Sequence, residues 1–354
     1  MSRNILLFLS VCLLNSQPLY AQAQDPLSAA FGKKILALLR KNRVPTAAVG
    51  IINDNKILGT KIFGDSIMVK DASSNLLFSV ASLTKPIAMM LTLTLVSQGL
   101  WQLDEPLANY WIDPDVKDDS LAYKLTTRHV LSHQGGFVNW RSMHPTGKLA
   151  FDTVPGTAFR YSGEGFEYLR RAIENKFKKS FDELVSTYLF KPLGMRHSYL
   201  SWNPNLDTMQ YAGRFDQDGK RYPIEKNAIV NSAASLITTI EDYTKFGLAC
   251  LNAVGLSDNV DKQMKTPQIL VPQGHKIGIG FAWVIVNELS NGESALMHSG
   301  SDPGIKAFIV LLPGSKRGVV IFTNSDNGKK VYEEILRETL DVGGEFLSRM
   351  TKNF

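Results

Sequence analysis

Hydrophobic positions recur with two different periods along the 354-residue chain, and these periods predict where helices and strands lie. Near the start, LSAAFGKKILALLRKN has helical spacing, with Phe31, Ile35, Leu36 and Leu39 on one face. The next segments, TAAVGIIN and KILGTKIFG, flank a DN turn and predict a β-hairpin. After about residue 278, short turns join four strand-like segments, GIGFAWVIV, ESALMHSG, IKAFIVLLP and RGVVIFTNS. This spacing indicates an antiparallel meander.

The middle of the chain, from about residue 100 to 270, follows a different pattern. Turn-rich loops such as PTGK, PGT and DQDGK separate amphipathic helices such as EGFEYLRRAIENKF and TIEDYTKFGLACLN. A final helix, GKKVYEEILRETLDV, follows the last strand. The simplest assembly is an α+β fold with three α/β/α-like layers, in which an antiparallel sheet from both chain ends carries the terminal helices. The helical middle is then an inserted subdomain, with a cleft between the two parts.

The first residues have the pattern of a secretory signal peptide. MSRN carries one arginine, ILLFLSVCLL is a ten-residue apolar stretch, and LYAQAQD ends in small residues. This predicts a signal peptide over 1–23, cleaved after Ala23 or Ala21, and export to a bacterial periplasm. Ten apolar residues are too few to span a bilayer, so we expect no stable membrane span. Lipidation at Cys12 is a weaker alternative, because Val11 fits that motif poorly.

The expected mature chain is therefore a single domain over 24–354. We expect its sheet subdomain at about 24–80 and 275–354, and its helical subdomain at about 81–274. Hydrophobic residues make up 44% and charged residues 20% of the sequence, which is typical of a globular protein with its own core.

The charge, cysteine and histidine content indicates which partners, disulfides and cofactors to expect. The net charge of +6 falls to +5 without residues 1–23, and the basic residues are scattered, so no nucleic-acid partner is expected. Cleavage leaves Cys250 alone, which excludes an internal disulfide, and its apolar helical context predicts core packing. The six histidines lack metal-ligand spacing, so neither a metal nor another cofactor is expected. No extensive apolar interface is indicated, so we expect a monomer.

The stretch SVASLTKPI contains the only S-x-x-K of the chain, at Ser82 and Lys85. Such a pair arises by chance about once or twice in a chain of this length, and a capping serine beside a solvated lysine is the simple alternative. Pro86 lacks an N–H and fits only the first turn, so the helix begins near Ser82 or Leu83. Residues three apart share a face, which places Lys85 beside the Ser82 hydroxyl.

The helix that follows is apolar nearly all round and must be buried, as MMLTLTLV shows. Burial lowers the pKa of a lysine, so Lys85 becomes a candidate proton acceptor for a serine nucleophile. The common alternatives are absent from the sequence: it has no G-x-S-x-G, Walker A, G-x-G-x-x-G or H-E-x-x-H motif.

Two other segments offer the remaining parts of such chemistry, a proton shuttle and an oxyanion hole. In FRYSGEGFEYL, Tyr161 lies in a loop just before a helix. In ALMHSGSDPG, His298, Ser299 and Gly300 lie at the end of a strand, where the glycine allows a ligand to approach the backbone closely.

With these motifs the chain resembles the serine β-lactamase and penicillin-binding-protein superfamily, in particular class C β-lactamase-like hydrolases and esterases. The S-x-x-K, Y-x-N and K-T-G or H-x-G motifs of that family match Ser82-x-x-Lys85, Tyr161-Ser162-Gly163 and His298-Ser299-Gly300. Their separations of 79 and 137 residues also fit. LTTRHVLSHQGGF, YLFKPLGM and AASLITTIEDYTKF resemble connecting segments of the family, so the resemblance covers nearly the whole mature chain and implies the β-lactamase/transpeptidase-like fold.

The resemblance implies a mechanism. Ser82 attacks a carbonyl, Lys85 and Tyr161 remove its proton, and Tyr161 returns the proton to the leaving group. The backbone N–H groups of Ser82 and Ser301 hold the oxyanion, and water then hydrolyses the acyl-enzyme. A positive Lys85 beside Tyr161 is expected to lower the pKa of the phenol.

Two departures from the family pattern bear on the substrate. Gly163 stands where penicillin-handling members have Asn, and His298 replaces the lysine of K-T-G, a permanent cation suited to a carboxylate. These changes favour a serine hydrolase acting on a small-molecule or peptide ester or amide, such as a carboxylesterase or a D-amino-acid peptidase. One alternative is a β-lactamase or D,D-peptidase acting on penicillins or peptidoglycan peptides. Another is a binding or sensor module that is acylated without turnover.

Other residues near the motifs have weaker signals. His133, in LSHQGG, is expected to fix a loop beside the site rather than to act in catalysis. Trp140, Trp283 and Phe137 are candidates for the cleft wall, although aromatic residues more often lie in the core. Asn231 lies in family-like sequence and receives no role.

Overall fold

The computed structural model describes residues 27–64, 75–271 and 276–353. The predicted signal peptide and both cleavage positions lie outside the described residues. Within the described ranges no helix is both long enough and apolar enough to cross a membrane.

Among the described residues, an eight-stranded antiparallel sheet forms the centre of the structure. Strand β1 (Thr46–Asn53) pairs with β10 (Arg317–Thr323), with Ala47 opposite Thr323, so strands from both ends of the chain meet in one sheet. The spatial order is β2 (Lys56–Gly64), β1 (Thr46–Asn53), β10 (Arg317–Thr323), β9 (Ile305–Leu312), β8 (Ala295–Asp302), β7 (Val284–Val286), β6 (Ile277–Ile279) and β5 (Ile269–Leu270).

A second, two-stranded sheet pairs β3 (Phe78–Ser79) with β4 (Ile237–Thr238). The helices in chain order are α1 (Ala29–Asn42), α2 (Thr84–Ser97), α3 (Thr127–Leu131), α4 (Gly163–Phe177), α5 (Phe181–Val185), α6 (Lys191–Leu193), α7 (Ile240–Leu251), α8 (Asp258–Met264), α9 (Gly328–Thr339) and α10 (Gly343–Asn353). A π-helical turn at Ser186–Phe190 joins α5 to α6.

Side chains on the two faces of the large sheet belong to two separate hydrophobic clusters, because successive residues of a strand point to opposite faces. One face packs on the terminal helices: Phe31, Ile35 and Leu39 of α1 are buried there, as the helical spacing predicts. The other face packs on α2 and α7. The α+β fold with a sheet between helical layers is therefore confirmed.

Helix α2 is buried on every side. All residues from Thr84 to Leu95 are buried, and they contact the helical middle of the chain as well as the sheet. Cys250 is buried in α7, and burial raises the pKa of its thiol, in agreement with the predicted core packing. The division into sheet and helical subdomains at 80/81 and 274/275 stays a prediction.

One strand assignment from the sequence is wrong. The segment GIGFAWVIV contains two short strands, β6 and β7, rather than one. Between them Ala282 has a left-handed backbone, with φ of 53°, which reverses the chain. The Ala282 N–H donates to the Leu131 carbonyl over 2.7 Å, so the turn is docked on α3. The turn is as buried and apolar as the strands, and hydrophobicity alone could not reveal it.

Candidate active site

Ser82 lies in a short 3-10 turn, Ala81–Leu83, immediately before α2. Ala81 has φ of 47°, a left-handed conformation that costs free energy in a residue with a Cβ and is found most often at functional sites. Thr84 holds this turn: its hydroxyl donates to the Ala81 carbonyl over 2.7 Å and accepts from the Leu236 N–H at 2.9 Å. The sequence analysis did not identify Thr84, since a threonine between the two motif residues has no pattern of its own.

Lys85 is fully buried and lies beside Ser82. Its Nζ is 3.2 Å from the Ser82 Oγ and donates to the Ala233 carbonyl over 3.1 Å. The rest of its surroundings are aromatic, with the ring centroids of Tyr161 and Trp140 at 4.6 and 6.0 Å. Burial lowers the pKa of Lys85 to about 7, although the charge of Glu167 opposes the shift. Near neutral pH much of Lys85 is therefore uncharged and able to accept a proton.

Tyr161 lies on the other side of Lys85, and the Ser82 side chain hydrogen-bonds its phenol. Burial raises the pKa of Tyr161 to about 12, and the bond to Ser82 lowers it only in part. The expectation that Lys85 lowers this pKa is wrong. Because the pKa of Lys85 is about 7, the lysine has lost its charge well before the phenol titrates, and no cation remains to stabilise a phenolate.

His133 supports the loop that carries Tyr161. Its Nδ1 accepts the Ser162 N–H at 3.1 Å, its carbonyl accepts the Arg160 N–H at 2.7 Å, and its ring lies 4.3 Å from the Tyr161 ring centre. Burial and then the Lys85 charge hold the pKa of His133 well below 6.5, so the imidazole is neutral. These contacts agree with the loop-fixing role expected from the sequence.

His298 and Gly300 project from the same face of β8, toward Ser82. His298 is buried with its ring 6.4 Å from that of Tyr161, and its Nδ1 lies 2.9 Å from the Ser299 carbonyl. Burial, followed by the Lys85 charge, lowers the pKa of His298 to about 3. The imidazole is therefore neutral at physiological pH and unlike the lysine that it replaces.

Gly300 allows a close approach, but by the chain itself rather than by a ligand. A Cβ at Gly300 would lie 2.0 Å from the Val80 carbonyl oxygen and 3.4 Å from the Leu83 nitrogen. Only glycine therefore lets β8 pack against the turn that carries Ser82. This contact brings the Ser82 turn and the backbone of Ser301 together. The oxyanion role of these two N–H groups stays a prediction.

The side chains of Ser299 and Ser301 are exposed on the opposite face of β8 from His298. The Ser301 hydroxyl accepts a hydrogen bond from Lys306 Nζ at 2.8 Å. Any contribution of Ser301 to the site must therefore come from its backbone and not from its hydroxyl.

Gly163 begins α4, and Trp140 fills the space beside it. The Gly163 N–H donates to the backbone carbonyl of Asn139 at 3.0 Å and to its side-chain oxygen at 2.9 Å. A Cβ at Gly163 would lie only 2.5 to 2.8 Å from three indole carbons of Trp140. An asparagine therefore cannot occupy this position unless the indole moves.

Trp140 separates two open cavities, and Asn231 lines both of them. The larger, of about 760 Å³, includes Asp113, Asp115 and Glu164, and Arg141 bridges these three carboxylates at 2.8, 3.0 and 2.9 Å. The smaller, of about 270 Å³, is lined by Ser79, Trp140, Tyr211, Arg214, Glu225, Asn227, Asn231, Ala234, Ser235, Ile237, Asp302 and Ile305. Of the three aromatic candidates, Trp140 lines the cavities, whereas Phe137 and Trp283 are fully buried in the core.

Glu167 is a further residue that the sequence analysis missed. Its carboxylate accepts the Ser232 N–H at 2.7 Å and pairs with Arg170 at 2.8 Å. It thereby fixes the segment whose next residue, Ala233, accepts the hydrogen bond of Lys85. Local patterns could not reveal this contact because the partners are 65 residues apart in sequence. Over the described ranges, no three His, Cys, Asp or Glu side chains are grouped to hold a metal ion.

Comparison with known proteins shows which family the chain matches. A family model described as Beta-lactamase matches residues 31–343. A penicillin-binding protein of Bacillus subtilis is 22% identical over 299 residues, which cover 75% of this chain and 64% of that protein. The chain spans less than two thirds of the length of the curated relatives that head the comparison.

Solved structures share the fold. A class C β-lactamase superposes with a TM-score of 0.72 at 19% identity, covering 88% of this chain and 96% of that chain. An octameric penicillin-binding protein homologue from Pyrococcus abyssi gives a TM-score of 0.71 at 21% identity, covering 85% of this chain and 74% of the other.

Proposed function

Because this chain belongs to the β-lactamase family, whose members are serine hydrolases, we propose that it hydrolyses an ester or amide through an acyl-enzyme on Ser82. The observation that carries the proposal is the position of a lysine with a pKa of about 7, its Nζ 3.2 Å from the Ser82 hydroxyl. A hydroxyl becomes a useful nucleophile only when a base near it can take its proton.

In the proposed reaction, neutral Lys85 accepts the Ser82 proton while Oγ attacks the substrate carbonyl. Tyr161, whose raised pKa keeps it protonated, donates its proton to the leaving group and is reprotonated by way of Lys85. The N–H groups of Ser82 and Ser301 stabilise the tetrahedral oxyanion. In the second half, Lys85 takes a proton from water as the water oxygen attacks the acyl-enzyme carbonyl, and Lys85 then returns the proton to Ser82 Oγ as the bond to the acyl group breaks.

In our proposal the substrate has no carboxylate next to the reacting bond, unlike a penicillin. The neutral His298 offers no cation to a substrate carboxylate, and Trp140 takes the space of an asparagine side chain at Gly163. Both features favour an ester or an amide without a carboxylate at that place. They weaken the case for a β-lactamase or D,D-peptidase.

The test is a side-by-side assay of residues 24–354 with a short-chain nitrophenyl ester, a D-alanyl nitroanilide and a chromogenic cephalosporin. We expect turnover of the ester or anilide, and at least a thousandfold loss in Ser82→Ala, because the nucleophile is removed. Equal turnover by wild type and Ser82→Ala contradicts the proposal. A stable penicilloyl adduct on Ser82 by intact mass, without turnover, would instead support the sensor alternative.

We also propose that the protein is exported and acts as a monomer, on the basis of the sequence of residues 1–23 and of the absence of an apolar interface signal. N-terminal sequencing of the protein from a periplasmic fraction should give a chain starting after Ala21 or Ala23. Light scattering on that material should give the mass of one chain. An octamer, as in the Pyrococcus abyssi homologue, would contradict the second part.

A further inference from the structure

The smaller cavity lies at one end of the candidate site, along β8. His298, Gly300 and Asp302 alternate along this strand without a register shift, so they face the same side of the sheet. His298 lies beside Tyr161, which donates the leaving-group proton in the proposed reaction. Asp302 lies four residues farther along the strand, about 13 Å away at 3.3 Å per residue. Ser301, at the proposed oxyanion position, is between them.

This order gives a direction to the bound substrate. The leaving group lies near Tyr161 and His298, and the carbonyl lies near Ser301. The acyl group then extends toward Asp302 and the smaller cavity, which contains Asp302 and Ile305 but neither Tyr161 nor His298. The cavity is therefore the acyl-group end of the cleft.

Asp302 is the carboxylate that stays without a partner at this end. Arg214 pairs with Glu225 at 2.8 Å, and Lys306 lies 4.0 Å from Asp326. Asp302 makes no ion pair within 4.0 Å and no side-chain hydrogen bond with any part of the chain that the structure describes. Its side chain is exposed in the cavity. Asp302 and the four charged groups around it, Arg214, Glu225, Lys306 and Asp326, together carry an excess of one negative charge.

The other charges along the cleft also leave it negative. Arg214, which is more than nine-tenths buried in the same cavity wall, is already paired with Glu225. The larger cavity on the other side of Trp140 is lined by five acidic and two basic side chains, and Arg170 behind the wall pairs with two of the five. An excess of negative charge therefore lies on both sides of Trp140 in a chain whose net charge is +6.

We propose that the acyl group of the substrate carries a positive charge, such as an ammonium group, which binds Asp302. The inference rests on the proposed Ser82 hydrolase function and adds a substrate class to it: esters or amides of cationic acyl groups, as in aminoacyl derivatives. Asp302 is a specificity residue, since it contacts the substrate away from the reacting bond.

The test compares two 4-nitrophenyl esters of the same shape, 4-(trimethylammonio)butyrate and its uncharged analogue 5,5-dimethylhexanoate. The quaternary nitrogen prevents the ester from cyclising. Wild type should have about fivefold higher kcat/KM for the cationic ester, the size expected for one partly solvated charge pair, and 0.5 M salt should reduce the preference. Asp302→Asn should bring the two esters within about twofold. Asp258→Asn, which removes an equal charge from an exposed remote helix, should keep the preference.

Binding to Ser82→Ala separates this inference from the proposed function. Calorimetry with the two matched 4-nitroanilides measures the charge preference without turnover. Tighter binding of the cationic anilide, together with no Ser82-dependent hydrolysis of any ester, would support the inference and contradict the hydrolase function. Equal binding of both anilides, equal kcat/KM for both esters, or a preference that survives Asp302→Asn would overturn the inference.

Discussion

Two basic side chains, Lys85 and Arg141, lie close to Trp140, and their surroundings are opposite. Lys85 lies among aromatic rings and backbone, with no carboxylate in contact, and burial lowers its pKa to about 7. Arg141 pairs with Asp113, Asp115 and Glu164, and hydrogen bonds to Glu164 raise its pKa. Burial without a charged partner produces a base that can gain and lose a proton, whereas pairing with carboxylates produces a permanent charge that ties loops together.

The largest expected effect comes from giving the Lys85 position a permanent charge. In Lys85→Arg, the guanidinium stays protonated near neutral pH and cannot accept the Ser82 proton. We expect kcat/KM for the nitrophenyl ester to fall by about a thousandfold or more. The measurement is initial-rate kinetics, with circular dichroism to establish that the variant is folded. A folded Lys85→Arg variant within tenfold of wild type would show that Lys85 is not the base.

The next largest effect should be a loss of stability when Arg141 is replaced. Arg141→Leu leaves Asp113 and Glu164, both more than nine-tenths buried, without their cation. We expect the free energy of unfolding to fall by about 3 kcal/mol, at the low end for a buried pair because Arg141 itself is 38% exposed. Urea denaturation at pH 7 measures the change.

Arg171 provides the matched control for this prediction. It lines the same cavity and is exposed, and no ion pair of its side chain occurs among the described residues. Arg171→Leu should therefore change the free energy of unfolding by less than about 0.5 kcal/mol. Equal losses in the two variants would mean that the bridge from Arg141 to its three carboxylates does not stabilise the fold.

Replacing Lys85 should increase stability, which is the opposite of the effect expected for Arg141. Its folded pKa of about 7 lies below the unfolded value near 10.5, so the unfolded state binds more protons between these two pH values. The destabilisation of the fold by Lys85 is therefore complete below pH 7, and it declines as the pH rises from 7 toward 10.5. We expect Lys85→Met to increase the free energy of unfolding by about 2 kcal/mol at pH 6, with a smaller gain at pH 9. A loss of stability at pH 6 would contradict this account.

The smallest effect concerns the wall between the two cavities. Gly163→Asn should lower ester kcat/KM about tenfold, because its Cβ would meet the Trp140 indole at 2.5 Å and move it. In the Trp140→Ala background, Gly163→Asn should lower ester kcat/KM by less than twofold. The readout is this difference, measured as a double-mutant cycle. Equal costs in both backgrounds would show that Trp140 does not exclude a side chain at Gly163.

The difference between Lys85 and Arg141 also shows which parts of the site could be predicted from the sequence. The Ser82–Lys85 pair was predictable because both residues lie within one helical turn, and the apolar run after Pro86 predicts that Lys85 is buried. The pKa of Tyr161 was predicted in the wrong direction, because the burial that raises it depends on tertiary packing and because Lys85 loses its charge before the phenol titrates. The bridge of Arg141 to Asp113 and Glu164 joins residues 23 to 28 positions apart, beyond the reach of any local pattern.

Gly300 is another position where the sequence predicted only part of what the structure shows. The sequence indicates that the backbone there is closely approached, but the approaching group is the Val80 carbonyl of the nucleophile turn. That contact depends on how β8 packs against the start of α2. Glycine predicts that space is needed, and only the tertiary structure identifies the group that uses it.

The pH dependence of Ser82 acylation tests the central claim most directly. Between pH 5 and 9, Lys85 is the group in the site expected to titrate, because the pKa of His298 is about 3, that of Tyr161 is about 12, and His133 is neutral. With an uncharged nitrophenyl ester, kcat/KM should rise with pH through a single midpoint near 7 and then level off, as Lys85 loses its proton. A rate that is flat over this range, or that falls as the pH rises through 7, would contradict the assignment of Lys85 as the base.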